Sequence, residues 1–190
     1  RDIAQLFLAR IGTINQDGSL SSEQKQQQTQ IAVNNAVSAV RNATTVAPAN
    51  VANWNVQGSV SQNLLAVAGA KDLAVQAYEQ AKLLEPASPF AWGELGRVYV
   101  LFANQSGIPE TLKDESLQKA FENLDRAIQL KSDYAPAHFL KAAAYEIQGK
   151  SAEAASQLEA LKTASPKDVG LAFQLGMVYW QKGDVVNAQR

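Results

Sequence analysis

The chain has 190 residues, with 17 basic and 18 acidic side chains and a formal net charge of −1. This even balance argues against a nucleic-acid-binding surface, which needs concentrated Lys and Arg. The sequence has no cysteine and one histidine, which excludes disulfides, thiolate metal sites and sites built from several histidines. It contains no stretch of 18 apolar residues, and we therefore expect no membrane span within the chain.

The first predicted unit, residues 1–50, starts inside a leading helix and continues into a long second helix. The second helix is predicted to open near Ser21, because Ser21 and Gln24 have the spacing of a capping box. The Gln-rich stretch SSEQKQQQTQ (21–30) is compatible with a low-complexity linker. The capping pattern and the following IAVNNAVSAV (31–40) instead favour the exposed start of a helix.

Further helical units are predicted at 51–88, 89–134, 135–168 and 169–190. Compared with the 34 residues of the fourth unit, the second unit has four extra residues and the third has twelve. Gly107 and Pro109 predict a loop within the insertion ANQSGIPETLKD (103–114). Tight turns inside helical hairpins are predicted at Gly149 and Gly183. The predicted helix caps are Asn50, Ser88 with Pro89, Asp133, and Ser165 with Pro166. The chain starts without Met and stops inside the fifth unit, so we expect it to be a piece of a longer protein.

The units share one pattern of spacing. Tyr145, Gly149 and Ala154 recur as Tyr179, Gly183 and Ala188, each 34 residues later. Small or apolar residues also lie 12, 8 and 5 positions before Pro48, Pro86, Ser132 and Pro166. In that order they are Ala36, Val40 and Ala43; Ala74, Tyr78 and Ala81; Ala120, Leu124 and Ala127; Ala154, Leu158 and Leu161. Small residues at fixed helical positions let two helices approach closely, and large neighbours fill the space between them.

These spacings resemble the tetratricopeptide (TPR) repeat, in which W-x2-L-G-x2-Y is followed by A-x3-F-x2-A and then P. The best matches are WGELGRVY (92–99), AVQAYEQAKLLEP (74–86) and FQLGMVYWQKGD (173–184). The resemblance covers nearly the whole chain and implies an all-α, right-handed α-solenoid that forms a single array over residues 1–190. It also implies a non-catalytic scaffold that binds a protein or peptide segment on its concave surface.

The leading helices provide a candidate binding surface. When Trp54, Trp92, His138 and Ala172 are taken as position 4, positions 4, 7, 8 and 11 share one side and are predicted to pack against the second helix. Positions 2, 5, 9 and 12 lie roughly opposite and are predicted to line the inner surface. The inner positions predicted to contact a partner are Asn55, Phe90, Arg97, Phe139, Phe173 and Met177. The alternative explanations for this aromatic surface are burial by neighbouring helices and a cut face between repeats.

The charge on this surface limits the partner that it suits. Arg97 is the only cation among the sixteen inner positions, which disfavours a site for a C-terminal carboxylate. A mixed aromatic and polar groove for a less charged segment fits better. The one histidine, His138, stands where the repeat carries Trp and is predicted to be a core residue. With no Gly-rich phosphate loop either, we predict no catalytic residue, no cofactor and no metal site.

Two other functions stay open from the sequence. One is self-association, or packing against the rest of a longer chain. The other is an accessory role in an enzyme, because RDIAQLFLARIG (1–12), the long helix after it and NVANWNVQGSV (50–60) resemble soluble regions of bacterial O-antigen polymerase or ligase-like membrane proteins. That looser resemblance implies a parent protein attached to a bacterial membrane, with no transferase residue in this chain.

Overall fold

The computed structural model describes residues 2–164, 169–181 and 184, and every regular element in these residues is an α-helix. The helices in chain order are α1 (Asp2–Gln16), α2 (Ser22–Val46), α3 (Val51–Gln62), α4 (Ala70–Leu84), α5 (Pro89–Ala103), α6 (Glu110–Leu130), α7 (Ala135–Ile147), α8 (Ser151–Ala164) and α9 (Val169–Gln181). The predicted all-α fold is therefore confirmed.

The chain forms two compact units, Arg1–Pro86 and Ala87–Arg190. In the first unit, α1 packs against α2, α2 against α3, and α3 against α4. In the second unit, α5 packs against α6, α7 contacts both of them, and α8 packs against α7 and α9. Each helix pair from α1 to α8 corresponds to one repeat predicted from the sequence. That all five repeats form one continuous array stays a prediction.

The start of α2 is fixed by its predicted capping box. The amide of Gln24 donates to Oγ of Ser21 over 3.2 Å, and the amide of Ser21 donates to Oε1 of Gln24 over 2.9 Å. These two bonds satisfy amides that the first turn of a helix leaves without partners. The Gln-rich stretch 21–30 is thus the start of a 25-residue helix and not a linker.

Two of the other predicted caps are confirmed and one is wrong. Asn50 accepts from the amide of Ala52, and Ser88 from that of Phe90. Asp133 does not cap α7, because a turn from Lys131 to Tyr134 delays the helix to Ala135 and leaves the Asp133 carboxylate exposed, 3.9 Å from Nζ of Lys131. Ser165, Pro166 and Gly183 lie outside the described residues.

The insertion in the third repeat is mostly helical, so the predicted loop over 103–114 is wrong in extent. The connection between α5 and α6 spans only 104–109, and α6 begins directly after Pro109. The acidic side chain of Glu110 suits the first turn of a helix, and most of the residues after it are good helix formers. The extra residues mainly lengthen α5 and α6 to 15 and 21 residues, against 13 and 14 in α7 and α8.

Gly149 lies in the tight turn between α7 and α8, as predicted. Its φ is +72°, a conformation that residues with a Cβ seldom adopt. The amide of Gly149 donates to the carbonyl of Glu146 over 2.9 Å, and the amide of Lys150 to that of Tyr145 over 2.9 Å. Glycine therefore permits the tight turn that brings α8 back along α7.

The core uses the small and large positions that the repeat spacing predicts. Of the residues that lie 12, 8 and 5 positions before Pro48, Pro86, Ser132 and Pro166, all are buried except Ala43, which is half-buried. The closest approach is at Gly96 of α5, where an added Cβ would lie 2.4 Å from Cγ of Leu124 on α6. Gly58 and Tyr78 form the equivalent contact between α3 and α4. These contacts fix which side of each leading helix is buried, and so which side is left for binding.

Candidate protein-interaction surface

Two of the predicted inner positions carry exposed apolar side chains. Phe90 on α5 is 43% exposed and Met177 on α9 is 47% exposed, although both are large and apolar. Leu95 and Leu175, on the packing side of the same helices, are buried. α5 and α9 thus each present one large apolar side chain on the side away from their buried leucine.

The other predicted contact residues are less accessible. Asn55 and Arg97 are half-buried. Phe139 is half-buried too, because it packs against the core cluster formed by α7, α8 and α9. The side chain of Phe173 lies outside the described residues.

Only some of these residues come together. Phe90, Arg97 and Phe139 lie on α5 and α7, which contact each other in the second unit. Met177 lies on α9 of the same unit, and α9 packs against α8. Asn55 belongs to the first unit.

Arg97 does not present an uncompensated positive charge. Its Nε lies 3.1 Å from each carboxylate oxygen of Glu94, one helical turn earlier on α5. The two side chains form an i,i+3 ion pair on the helix surface. This pairing supports the sequence argument against a carboxylate-binding site, because the single inner cation already has an anionic partner.

Tyr134 covers α5 beside this ion pair. A Cβ added to Gly93 would lie 2.8 Å from Cε1 of the Tyr134 ring, so the ring occupies the space that a side chain at 93 would need. Burial raises the pKa of Tyr134, and the Glu94 carboxylate raises it further, partly offset by Arg97. Tyr134 therefore carries a neutral phenol next to the Glu94–Arg97 pair.

Sequence reasoning missed Glu94 and Tyr134 as members of this surface. Glu94 precedes Arg97 by three residues, a spacing that predicts a helical ion pair. The sequence did carry one indication that another side chain covers this place on α5. Gly93 stands at an inner position, and its missing side chain leaves room for a neighbouring ring. The source of that ring could not be read from the sequence, since Tyr134 follows α6 and lies about 40 residues from Gly93 in the chain.

Two inner positions hold buried acceptors without a partner among the described residues. These are Oδ1 of Asn55, at position 5 of α3, and Oε1 of Glu146, at position 12 of α7. Buried polar atoms in proteins are usually hydrogen-bonded, so each such atom calls for an explanation. Both atoms are enclosed by the protein, so they are not open to a segment that binds on the surface.

On the opposite side of α3 and α7, a ring nitrogen of the side chain at position 4 contacts a backbone carbonyl. Nε1 of Trp54 donates to the carbonyl of Pro48 over 2.7 Å. His138 stands at the same repeat position, and its Nε2 lies 2.9 Å from the carbonyl of Ser132, again six residues earlier. His138 is 6% exposed, which confirms its prediction as a core residue. Its role is the structural one that Trp54 has in the first unit.

The described residues contain no cluster of three or more His, Cys, Asp or Glu side chains that could hold a metal ion. Within the same part of the chain, none of the helices combines the length and the apolar character needed to cross a bilayer.

No protein-family model matches the chain. None of the curated proteins matches it. Solved structures do match it. The crystal structure of TTC0263, a thermophilic TPR protein of Thermus thermophilus, aligns with a TM-score of 0.65 and 18% identity over 86% of this chain and 81% of that one.

A crystal structure of MamA aligns with a TM-score of 0.61 and 21% identity over 86% of both chains. The 41-end form of MamA from Desulfovibrio magneticus RS-1 aligns with a TM-score of 0.59 and 16% identity, covering 100% of this chain and 90% of that one. At such identities the similarity establishes a shared fold. The chain is an all-helical repeat protein with a TPR-like fold.

Proposed function

We propose that the chain is a non-catalytic scaffold that binds a segment of a partner protein along the inner positions of its leading helices. The observation that carries this proposal is the exposure of Phe90 and Met177 on the side that faces away from the helix partners. Large apolar side chains on a surface are a common mark of a protein interface. Helical-repeat proteins use the corresponding surface for binding.

The chemistry of this surface favours a segment with little net charge. Arg97 is neutralised by Glu94, and Tyr134 beside them carries a neutral phenol. Phe90 and Met177 provide apolar contact area. A partner segment with apolar anchors and little net charge meets these requirements.

The proposal is tested by removing the exposed apolar groups and measuring partner recovery. Phe90→Ala combined with Met177→Ala is expected to lower the amount of a verified partner that co-purifies with the full chain by about tenfold or more, since one buried anchor is typically worth about 2 kcal/mol. Leu83→Ala is the matched control, because Leu83 is apolar and 74% exposed but lies on α4 outside the inner positions.

Circular dichroism should show the same helicity in all three proteins. Unchanged recovery of the verified partner with the double variant would contradict the proposal. Phe139→Ala is a poorer probe, because Phe139 also packs against the core of the second unit.

Self-association is the second candidate for the same exposed residues. A second copy of the chain could bury Phe90 and Met177 just as a different partner protein could. Light scattering of the isolated chain separates the two: a concentration-dependent dimer that the double variant abolishes supports self-association. An accessory role in a membrane-attached bacterial glycan polymerase or ligase would use the same binding surface, with the chemistry in other parts of the parent protein.

A further inference from the structure

None of the six predicted contact residues is among the described residues that line a cleft in the first unit. It is formed by α2, the connection between α3 and α4 and the start of α4, and it has a volume of about 380 Å³. The connection, residues 63–69, is seven residues long, against three between α7 and α8. The four extra residues of the second repeat therefore build one wall of the cleft.

The wall formed by this connection is apolar and held in place. Leu64 and Val67 line it, together with Leu73 of α4, and Val33 and Val37 line the facing side of α2. The amide of Val67 donates to the carbonyl of Leu64 over 2.7 Å. The connection is thus a series of hydrogen-bonded turns, and an apolar group can enter the cleft without first ordering a loop.

Polar side chains of α2 run along the edge of this apolar space. Gln30, Asn34 and Ser38 follow one another at intervals of four residues, which places them about 6 Å apart along the helix. An extended peptide repeats every two residues, or about 6.7 Å, so its backbone groups can pair with successive members of this row. Nε2 of Gln30 donates to Oδ1 of Asn34 over 3.0 Å, which leaves Oε1 of Gln30 and Nδ2 of Asn34 for such pairing.

A buried hydroxyl also lines the cleft. Ser61, near the end of α3, is 1% exposed, and its Oγ has no hydrogen-bond partner among the described residues. Burial of a hydroxyl without a partner costs free energy. A hydrogen-bonding group that enters the cleft from a ligand would supply the missing partner.

One charged residue stands among the described residues that line the cleft, and it is positive. Arg41 lies on α2, eleven residues or about 16 Å beyond Gln30. None of the described lining residues carries a carboxylate, so the guanidinium favours a ligand that brings its own.

We propose that this cleft binds an extended segment of a partner protein, about five residues long, that carries an apolar side chain for the Leu64–Val67 wall and a carboxylate for Arg41. The row of amide and hydroxyl groups on α2 selects a peptide over a lipid or a small carboxylate, because it matches the spacing of peptide groups. The cleft shares no residue with the inner surface of the leading helices. Failure of this proposal therefore leaves the proposed function standing, and the reverse also holds.

The test is an amide NMR titration of the full chain with a defined peptide. The probe is an end-blocked serine pentapeptide with leucine at its second position and aspartate at its fifth, and a second probe has the reversed sequence. One of the two is expected to give saturable shifts at Asn34, Ser61 and Val67, with a dissociation constant on the order of 1 mM. Arg41→Gln, or asparagine in place of the aspartate, is expected to weaken binding by about fivefold or more. Arg126→Gln, in the second unit, is the matched charge control and is expected to bind like the original chain.

Ser61→Ala removes only the buried hydroxyl, so it is expected to weaken peptide binding and to unfold at the same temperature as the original chain or higher. The proposal is overturned if neither peptide gives saturable shifts in the cleft, or if Arg41→Gln and the asparagine peptide bind with the original affinity. It is also overturned if octanoate saturates the cleft where both peptides fail, since the ligand would then be a lipid. Dilution of the protein without peptide separates copies of the chain. If the same amides shift on dilution, the occupant of the cleft is a second copy, and the peptide proposal is contradicted.

Discussion

Nε2 of His138 lies 2.9 Å from the carbonyl oxygen of Ser132, which corresponds to the contact between Trp54 and Pro48 in the first unit. Because a carbonyl only accepts, Nε2 is the ring nitrogen that donates in this contact. Nδ1 is buried and has no partner among the described residues. The histidine thus preserves the N–H donor of the tryptophan that the repeat pattern carries at this position.

His138→Phe is expected to lower the free energy of unfolding by about 1 kcal/mol, because the Ser132 carbonyl loses its donor. His138→Gln keeps an N–H group at a similar reach and is expected to lose less. Chemical denaturation of the full chain compares the two variants. Equal losses in both would mean that packing and not the hydrogen bond explains this residue.

Gly96→Ala is expected to destabilise the second unit by about 1–3 kcal/mol, because the new Cβ would overlap Leu124 unless α5 and α6 separate. Gly12→Ala in α1 is the control. An added Cβ at Gly12 meets nothing within 4 Å, so this change is expected to stabilise by up to about 1 kcal/mol through helix propensity. Equilibrium unfolding in urea measures both. A Gly96→Ala chain as stable as the original would contradict the close contact of α5 with α6.

The ion pair between Lys141 and Asp125 ties α7 to α6. Nζ of Lys141 lies 2.6 Å from Oδ1 of Asp125, and Lys141 is 9% exposed. Asp125→Asn is expected to lower the free energy of unfolding by about 1 kcal/mol, because the mostly buried ammonium of Lys141 loses its charge partner. The effect is no larger because the carboxylate of Asp125 is exposed to solvent. Asp133→Asn is the control, because the Lys131–Asp133 pair is exposed and loosely spaced, and its removal should leave the unfolding midpoint unchanged. Equal effects of the two changes would show that burial of Lys141 adds nothing to its pair.

The hydroxyl of Tyr179 should lose its proton at a higher pH than an ordinary tyrosine does. Its hydroxyl donates to a carboxylate oxygen of Glu159, and this hydrogen bond is the main cause that raises the pKa of Tyr179 from 10.0 to about 12. A raised pKa favours the protonated phenol in the folded chain. The contribution of this bond to stability is therefore complete below about pH 10 and is lost as the pH rises through about 12.

Ultraviolet titration of tyrosinate measures this shift. The difference between the original chain and Tyr179→Phe is expected to titrate near pH 12, and Glu159→Gln should move it toward 10. A difference curve centred near pH 10 in the original chain would show that the bond to Glu159 does not form in solution.

The repeat spacing predicted the helices and their packing sides because both follow from local periodicity. Ala120, Leu124 and Ala127 are fully buried as that periodicity requires, and the capping bonds at Ser21 involve residues only three apart. Non-local features were beyond such reasoning. The ring of Tyr134 reaches Gly93 from the far end of the same repeat, and no spacing rule encodes that approach.

The binding features were predicted less completely for the same reason. Arg97 was placed on the inner surface, but its neutralisation depends on the side-chain conformation of Glu94. The cleft beside α2 depends on the path of residues 63–69, whose turns are set by hydrogen bonds within an insertion that the repeat pattern does not describe. Sequence periodicity thus located the surface, and the structure defined its charge and shape.

The central claim, that a partner segment binds the inner positions of the leading helices, is tested most directly by site-specific photo-crosslinking in the source cells. A photoreactive phenylalanine analogue would replace Phe90 or Met177 in the protein, with Leu83 as the control position. The account predicts crosslinks to the same distinct polypeptide from positions 90 and 177 and none from position 83. Crosslinking of that polypeptide from position 83 but from neither inner position would contradict it.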